Sequence, residues 1–169
     1  MTVDEPGFRV GLGVDVHAFA PPEAGRRLIL GGVEIPHHRG LDGHSDADVL
    51  AHAVTDALLG AAGLEDIGHY FPDTDPKWKD ADSIELLRAV RRIVGDGWTV
   101  GNVDSVLVCE RPKIREHRRR MRENLADALG VDVSRVSVRG TTSERLGFTG
   151  RGEGIACEAV CLVQRRGSR

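Results

Sequence analysis

The sequence predicts an α+β fold, in which helices pack on one face of a single mixed β-sheet. Segments with strand and helix patterns follow the order β-β-α-α-β-α-β-β, which indicates that architecture. Residues 106–109 form a continuous apolar run, which is typical of a strand buried on both faces. Ile84, Leu87, Val90 and Val94 recur at helical spacing, which indicates a helix with one face on the core.

The first half of the chain is predicted to contain two strands and one helix. Residues 8–19 and 28–35 form the strands, and the prolines and glycine between them predict that they pair as a hairpin. The helix is predicted to begin after Ser45 as N-cap, with Asp48 completing a capping-box arrangement, and to stop at Gly63.

The second half of the chain begins with a segment rich in glycine, proline and acidic residues, residues 64–82. Such a segment predicts a long ordered loop, and loops of that length are usually functional. Further helices are predicted over 83–94 and 114–129, and strands over 100–109, 136–139 and 155–164. The exposed face of the last helix carries Arg118, Arg119, Arg120 and Arg122. We expect one domain over 1–169, with tails at 1–7 and 166–169.

Composition argues against several classes of protein. The net charge is -3 and aromatic residues make up only 4%, so a nucleic-acid partner is not expected. No apolar run approaches the roughly 20 residues that a membrane-spanning helix needs, and the N-terminus does not resemble a targeting peptide. Cys109, Cys157 and Cys161 are interpreted as reduced core residues of a cytoplasmic protein, because the last two would lie roughly 13 Å apart on one strand.

Asp15, His17 and His52 form a candidate metal site. Asp15 and His17 lie two positions apart at the end of the first predicted strand, so they share one face. His52 lies in the first predicted helix, on one stripe with Asp48 and Asp56. One carboxylate and two imidazoles suit zinc with an open fourth position, and Asp56 or another carboxylate can orient His52. The alternative is a solvated polar helix face, and spacing alone does not bring His52 to the strand.

Residues 140–144 and the helix start at His44 indicate contact with a phosphorylated ligand. After a predicted strand, Gly-Thr-Thr-Ser-Glu can present hydroxyls and backbone N–H groups to phosphate, and Glu144 can hold a hard cation such as Mg²⁺. The alternative is a capped turn. His44 is placed to contact substrate beside Ser45; the alternative is an exposed residue beside a cap.

Two further segments contain basic residues, and each has its own alternative interpretation. Arg111, Lys113 and Arg115 form a phosphate-binding loop or the basic start of a helix. Residues 148–154 are dense in glycine and contain Arg151; they match neither a P-loop nor a dinucleotide-binding pattern. The alternative there is a flexible turn with a surface ion pair.

Nine stretches together resemble the 2-C-methyl-D-erythritol 2,4-cyclodiphosphate synthase family of the non-mevalonate isoprenoid pathway. They are GVDVHAF (13–19), HSDADV (44–49), TDALLGA (55–61), DIG (66–68), FPDTDP (71–76), GNVD (101–104), RPK (111–113), TTSE (141–144) and LGFTGRGEG (146–154). They run in family order over nearly the whole chain. The resemblance departs at Gly140, where alanine is common, and at Ser143, where threonine is common.

The resemblance implies a lyase that converts 4-diphosphocytidyl-2-C-methyl-D-erythritol 2-phosphate to the cyclic diphosphate with release of CMP. It implies a homotrimer around a three-fold axis, with active sites between subunits. Zn²⁺ would lie on Asp15, His17 and His52, and a second divalent cation, Mg²⁺ or Mn²⁺, on Glu144. An isoprenoid diphosphate is expected in a central cavity near Arg151.

The resemblance also implies the residues that act on the substrate. His44 and Thr142 occupy the positions of transition-state stabilisers. The expected substrate contacts are Asp15, Val16, His17, His44, Ser45, Asp66, Ile67, Gly68, Phe71, Pro72, Asp73, Thr74, Asp75, Cys109, Glu110, Arg111, Pro112, Lys113, Ile114, Arg115, Thr141, Thr142, Ser143, Glu144, Phe148 and Arg151.

Overall fold

A four-stranded mixed sheet is the centre of the computed structural model, which describes residues 7–166. Its strands are β1 (Phe8–Ala18), β4 (Trp98–Val108), β5 (Val136–Thr141) and β6 (Gly154–Arg165), in the order β1-β6-β4-β5. Only β4 and β5 run parallel. The predicted mixed sheet is confirmed. The predicted tails lie outside the described residues except for Gly7 and Arg166.

The predicted hairpin between residues 8–19 and 28–35 is wrong. β1 pairs along its whole length with β6 instead, so its partner lies at the other end of the chain. Residues 28–35 contain two short strands, β2 (Leu28–Leu30) and β3 (Val33–Ile35), which pair with each other. Gly31 and Gly32 join them with φ of 57° and 68°, a conformation that glycine adopts without steric cost.

Helix α1 (Val49–Ala62) is buried on most of its surface and lies directly on β1. A Cβ atom at Gly11 or Gly13 would lie only 2.0 Å from the carbonyl oxygen of Ala57 or Ala53, respectively. The two glycines of β1 therefore permit a backbone-to-backbone approach that larger residues would block. Gly63 ends the helix with φ of 74°, as predicted.

The N-cap of α1 is Asp48, so the prediction of Ser45 as cap is wrong. The Asp48 carboxylate accepts hydrogen bonds from the backbone N–H groups of Leu50 and Ala51, and also from Gly31 and Gly32 in the β2–β3 turn. Burial, with the nearby charge of Asp46, raises the pKa of Asp48 to about 6, although these donors oppose the shift. One buried carboxylate therefore joins the turn to the helix.

The second half of the chain follows the predicted order with shifted boundaries. The segment 64–82 contains α2 (Ile67–Tyr70) and a 3₁₀ turn (Pro76–Trp78), so it is not free of regular structure. Helix α3 (Ser83–Val94) is confirmed, with Asp82 as N-cap. Helix α4 (Arg118–Leu129) begins later than predicted, because residues 114–117 form turns. α5 (Gly147–Gly150) is a single turn before β6.

One face of the sheet is covered by helices and the other is open in the described chain. α1 and α4 contact the strands, and α3 packs against both helices. On the open face, Phe8, Val10, Leu12, Val14 and Val16 are 49–64% exposed. For the same reason Val106 and Val108 are half-buried, and the prediction that this run is buried on both faces is wrong.

The arginines of α4 differ in exposure. Arg119 and Arg120 are exposed, whereas Arg122 is half-buried and donates to the carbonyl oxygens of Val133 and Val136. The three cysteines are buried and free. Within residues 7–166, none of the helices combines the length and apolarity that a bilayer crossing requires.

Candidate metal centre and substrate cavities

Asp15, His17 and His52 meet where β1 lies against α1. Asp15 Oδ2 is 3.1 Å from His17 Nε2 and 3.0 Å from His52 Nδ1, and the two nitrogens are 3.2 Å apart. Ligand atoms bound tetrahedrally to zinc at about 2.0–2.1 Å lie roughly 3.3 Å from one another. The three atoms therefore form a triangle of the size that zinc requires, and a fourth position would stay open.

The geometry of β1 explains why two of these side chains point the same way. Odd-numbered residues of β1 face α1, so Asp15 and His17 follow Gly11 and Gly13 on that side. The close approach at Gly13 brings α1 within reach, and His52 is one residue before Ala53, whose carbonyl Gly13 faces. Small residues on the strand thus place an imidazole of the helix beside the strand's carboxylate.

His17 is held in one tautomer by the backbone. Its Nδ1 lies 2.6 Å from the carbonyl oxygen of Asp42, which can only accept a hydrogen bond. Nδ1 therefore carries the proton and donates it, which leaves the lone pair of Nε2 directed to the triad. Metal-binding histidines commonly have their second nitrogen fixed in this way.

The charges of the triad support one another. Burial tends to raise the pKa of Asp15, but its interactions with the imidazoles of His17 and His52 outweigh that effect and hold this pKa well below its usual range. Burial tends to lower the pKa of His17, but the hydrogen bond to Asp15 and the charge of Asp15 raise it. A metal cation must therefore compete with protons for these ligands.

Neither Asp48 nor Asp56 orients His52. Asp48 caps α1, and the carboxylate of Asp56 accepts a hydrogen bond of 2.8 Å from the backbone N–H of Ile67. The prediction for Asp56 is wrong, and the alternative of a solvated polar stripe is also wrong because Asp48 is fully buried. The Nε2 atom of His52 instead meets Ser83 Oγ at 2.8 Å and Ser45 Oγ at 3.2 Å.

A cavity of about 290 Å³, here called the metal-side cavity, opens beside the triad. Of the predicted substrate residues, it is lined by His17, His44, Ser45, Ile67, Gly68, Phe71 and Asp73. Asp66 instead caps α2, and Asp75 bonds to Lys77 and accepts from His44 Nε2 through its carbonyl. Pro72 and Thr74 do not line the cavity. The side chain of Val16 lies on the open face of the sheet.

Sequence reasoning missed several residues of this cavity and its supports. Trp78 and Leu86 line it, and Ser83 contacts His52. Trp78 lies in the loop 64–82, so a large aromatic residue in a segment rich in glycine and proline was an available signal. Leu86 and Ser83 belong to α3, and nothing in their local sequence indicates the site.

A second cavity of about 370 Å³, the β5-edge cavity, lies at the β5 edge of the sheet. Of the predicted substrate residues, it is lined by Cys109, Pro112, Lys113, Ile114, Arg115, Thr141 and Thr142. Arg118 also lines it and was not predicted as a contact, and so does Gly140, the first residue of the predicted 140–144 segment. A Cβ at Gly140 would lie 2.9 Å from Ile114 Cδ1, so glycine keeps this wall open. Burial raises the pKa of Cys109 to about 11, so its thiol is neutral.

The remaining predicted residues do not line the second cavity. Glu144 accepts a hydrogen bond from Thr142 Oγ1, and Glu110 accepts one from the backbone N–H of Arg145. Arg111 is exposed, and Ser143 Oγ donates to the carbonyl of Leu146. Further along the chain, Phe148 is 38% exposed. Arg151 forms an exposed ion pair with Glu153 at 2.8 Å.

The two cavities occupy opposite edges of the sheet. Asp15 pairs with Cys157, Cys157 with Leu107, and Leu107 with Gly140, so all four share one row across the strands. Three inter-strand spacings separate the first from the last, which is roughly 14 Å. The predicted site residues of one chain therefore form two groups rather than one.

The fold and the triad define a class: a mixed α+β protein with a carboxylate–imidazole group that could hold a metal ion where a strand meets a helix. The chain belongs to the YgbB family, whose model matches residues 8–164. The predicted family is thereby confirmed, and the curated relatives are named as enzymes.

Relatives match over almost the whole chain. The 2-C-methyl-D-erythritol 2,4-cyclodiphosphate synthase of Rubrobacter xylanophilus is 79% identical over 94% of this chain and 96% of its own length. The solved IspF of Plasmodium falciparum, in complex with CDP, is 34% identical with a TM-score of 0.82, over 96% of this chain and 99% of that one. The bifunctional IspDF of Campylobacter jejuni is 43% identical with a TM-score of 0.89, but the match covers 94% of this chain and only 42% of that longer chain.

Proposed function

We propose that the protein converts 4-diphosphocytidyl-2-C-methyl-D-erythritol 2-phosphate to 2-C-methyl-D-erythritol 2,4-cyclodiphosphate and CMP, as a phosphorus–oxygen lyase. The observation that carries this proposal is the convergence of Asp15, His17 and His52 on one metal-sized triangle, in a chain 79% identical to a named synthase. The CDP complex of the Plasmodium relative supports a cytidine nucleotide as the ligand class.

The reaction needs alignment and charge neutralisation more than it needs a base. The 2-phosphate oxygen attacks the β-phosphorus, and the bond from that phosphorus to the bridging oxygen breaks, so CMP leaves with the electron pair. A phosphomonoester is already largely dianionic at neutral pH, since its second pKa is about 6. Holding both reacting groups in one active site removes an entropic barrier worth up to about 7–11 kcal/mol in well-oriented cases.

Zn²⁺ on the triad and Mg²⁺ or Mn²⁺ on Glu144 would neutralise the diphosphate and polarise the attacked phosphorus. The chain's own residues bind the substrate and orient the groups around it. His44 lines the metal-side cavity, with Nε2 donating to the Asp75 carbonyl at 3.3 Å, so its ring is held at the cavity wall. Thr142 Oγ1 donates to Glu144, which orients that carboxylate beside the second cavity.

We further propose a homotrimer around a three-fold axis, in which one subunit's metal-side cavity faces its neighbour's β5-edge cavity. Two observations support it: the two halves lie apart in one chain, and the open face of β1 exposes a row of large apolar residues. Such patches mark association surfaces. Sedimentation equilibrium is expected to give three times the chain mass of 18.3 kDa.

An isoprenoid diphosphate is proposed as a second ligand near Arg151. Arg151 lies shortly before β6, which pairs with β1, so it is at one end of the open apolar face. The exposed ion pair with Glu153 leaves the guanidinium accessible to a phosphate. Calorimetry with geranyl or farnesyl diphosphate tests this, and a flat titration would count against it.

The central test is CMP release from the named substrate, with and without a chelator, in wild type and His52→Ala. We expect activity only in the wild type with metal, and phosphorus NMR should show the cyclic product. A zinc phosphohydrolase would give two phosphorylated fragments and no cyclic product. A non-catalytic isoprenoid-binding protein would release no CMP. Equal activity in all four samples would refute the proposal.

A further inference from the structure

The side of His52 that faces away from the triad contacts a buried serine. Ser83, the first residue of α3, is 0% exposed, and its Oγ lies 2.8 Å from His52 Nε2. The same hydroxyl lies 2.5 Å from Asp46 Oδ1, and Asp46 Oδ2 accepts the backbone N–H of Ser83 at 3.1 Å. Asp46, Ser83 and His52 thus form one hydrogen-bonded chain that ends at the candidate metal ligand.

The donors and acceptors of this chain have one consistent arrangement. A carboxylate only accepts, so the Ser83 hydroxyl donates its proton to Asp46. The oxygen of Ser83 is then left to accept, and His52 Nε2 must be the donor. With a metal ion among the three ligand atoms, an imidazole whose proton is on Nε2 would offer that ion its Nδ1 lone pair; Nδ1 lies 3.0 Å from Asp15 Oδ2.

We propose that Ser83 and Asp46 are positioning residues for the metal centre, which hold His52 in the tautomer and ring orientation that directs Nδ1 to the metal. This inference rests on the proposed metal-dependent function. Histidine ligands usually donate their second N–H to an acceptor, and loss of that acceptor typically costs 10–100-fold in metal affinity. Here a serine connects the imidazole to the carboxylate.

Ser45 is the weaker of the two hydroxyl partners of His52 Nε2. Its Oγ is 3.2 Å from His52 Nε2 and already accepts the backbone N–H of Ala47 at 3.2 Å. Ser45 also lines the metal-side cavity, whereas Ser83 does not. The contact with Ser83 is shorter and shielded from that cavity, so we assign the orienting role to Ser83.

The same group of bonds fastens the end of the 64–82 loop beside the cavity. The backbone N–H of Asp46 donates to the carbonyl of Ala81 at 3.1 Å, and that of Asp80 donates to the carbonyl of His44 at 2.9 Å. Asp46 therefore contacts both the loop end and the serine that orients His52. A variant at Ser83 changes the hydroxyl alone and leaves these backbone bonds in place.

The test measures zinc affinity of the full-length chain by competition with a chromophoric chelator. Ser83→Ala is expected to bind zinc about 10–100-fold more weakly than wild type. Ser105→Ala is the matched control, because Ser105 is also a buried serine, 1% exposed, and its hydroxyl donates to the Ser137 carbonyl instead. We expect the control to keep wild-type zinc affinity even if its melting temperature falls.

A second measurement reports the hydrogen bond to Ser83 in the zinc-bound protein. In ¹H–¹⁵N NMR, the Nε2 proton of His52 is expected to exchange slowly with solvent in wild type and faster in Ser83→Ala, because Ser83 Oγ lies 2.8 Å from Nε2. A purely structural role for Ser83 would lower stability and leave both the proton exchange and the zinc affinity unchanged.

Each outcome has one meaning. Failure of the wild type to bind zinc would overturn the proposed function itself. Zinc binding by wild type with affinity within about twofold in Ser83→Ala would overturn only the positioning role. If Ser83→Ala does not fold, Asp46→Asn decides, because it keeps an acceptor for the serine but removes the charge. We expect a smaller loss of zinc affinity there, and unchanged affinity would refute the inference.

Discussion

The two cavities of this chain are built in opposite ways. The metal-side cavity has ligands whose second nitrogens are already fixed, His17 on the Asp42 carbonyl and His52 on Ser83. At the β5 edge, Lys113 and Arg115 are exposed, and Glu144 bonds only to a neighbouring hydroxyl among the contacts that the structure records. The metal side therefore has its candidate ligands oriented within one chain, whereas the charged side chains of the β5 edge are exposed.

Loss of a ligand from the organised side should have the largest effect. His52→Ala is expected to reduce CMP release about 10³-fold, since the Lewis acid contributes several kcal/mol to the transition state. Zinc content, measured by atomic emission on the dialysed protein, should fall with it. His69→Ala is the control, because His69 is an exposed histidine of α2 and should keep full activity. Wild-type activity in His52→Ala would contradict the metal assignment.

A substitution at the β5 edge should cause a smaller loss of activity, and that loss should depend on the cation concentration. Glu144→Gln is expected to lower activity about a hundredfold, and excess Mg²⁺ should restore part of it. Zinc affinity should remain that of the wild type, because Glu144 does not belong to the triad. A parallel loss of zinc would mean that the two sides are not separable.

The two variants can be mixed to test whether the sides meet between subunits. In a ring of three chains, a His52→Ala subunit still supplies an intact β5 edge, and a Glu144→Gln subunit an intact triad. Random 1:1 mixing after refolding should restore about a quarter of wild-type activity. No recovery in the mixture would show that each site is complete within one chain.

The close approach of β1 to α1 can be broken without touching a ligand. Gly13→Ala is expected to destabilise the fold by about 1–3 kcal/mol, because the new methyl would lie 2.0 Å from the Ala53 carbonyl oxygen. Gly97→Ala is the control, since a Cβ at Gly97 meets no atom within 4 Å. Urea unfolding of the metal-free proteins measures both, and equal midpoints would refute the packing argument.

The smallest effect is the pH dependence of zinc binding. The pKa of His17 is raised above its usual value, so protons compete for Nε2 as the pH falls through that raised pKa. Zinc affinity should therefore weaken by about tenfold per pH unit on the acid side of that pKa. Chelator competition between pH 6 and pH 8 measures it, and a flat profile would exclude His17 as a ligand.

The raised pKa of His17 and the lowered pKa of Asp15 change the stability of the metal-free protein in opposite directions of pH. A raised His17 pKa contributes stability below the unfolded value of 6.5, which is lost as the pH rises through the folded pKa. A lowered Asp15 pKa contributes stability above 3.8, which is lost as the pH falls through the folded value.

Local features were predicted from the sequence with the least error. The bounds of α3 follow from a capping aspartate and a terminal glycine next to the helix itself. The N-cap of α1 was misplaced because Asp48 turns inward to Gly31 and Gly32, which local spacing does not reveal. The hairpin prediction was wrong for the same reason, because β1 pairs with a strand that begins at Gly154.

The sequence by itself determined the chemistry of the candidate site: one carboxylate and two imidazoles, the basic loop at Arg111 and the family to which the chain belongs. Only the tertiary structure brought His52 to Asp15 and His17, because glycines on β1 admit α1 at backbone distance. It also supplied Ser83 and Asp46, and it separated the two cavities by the width of the sheet. Residue types are written in the chain, whereas contacts between distant segments depend on how closely those segments pack.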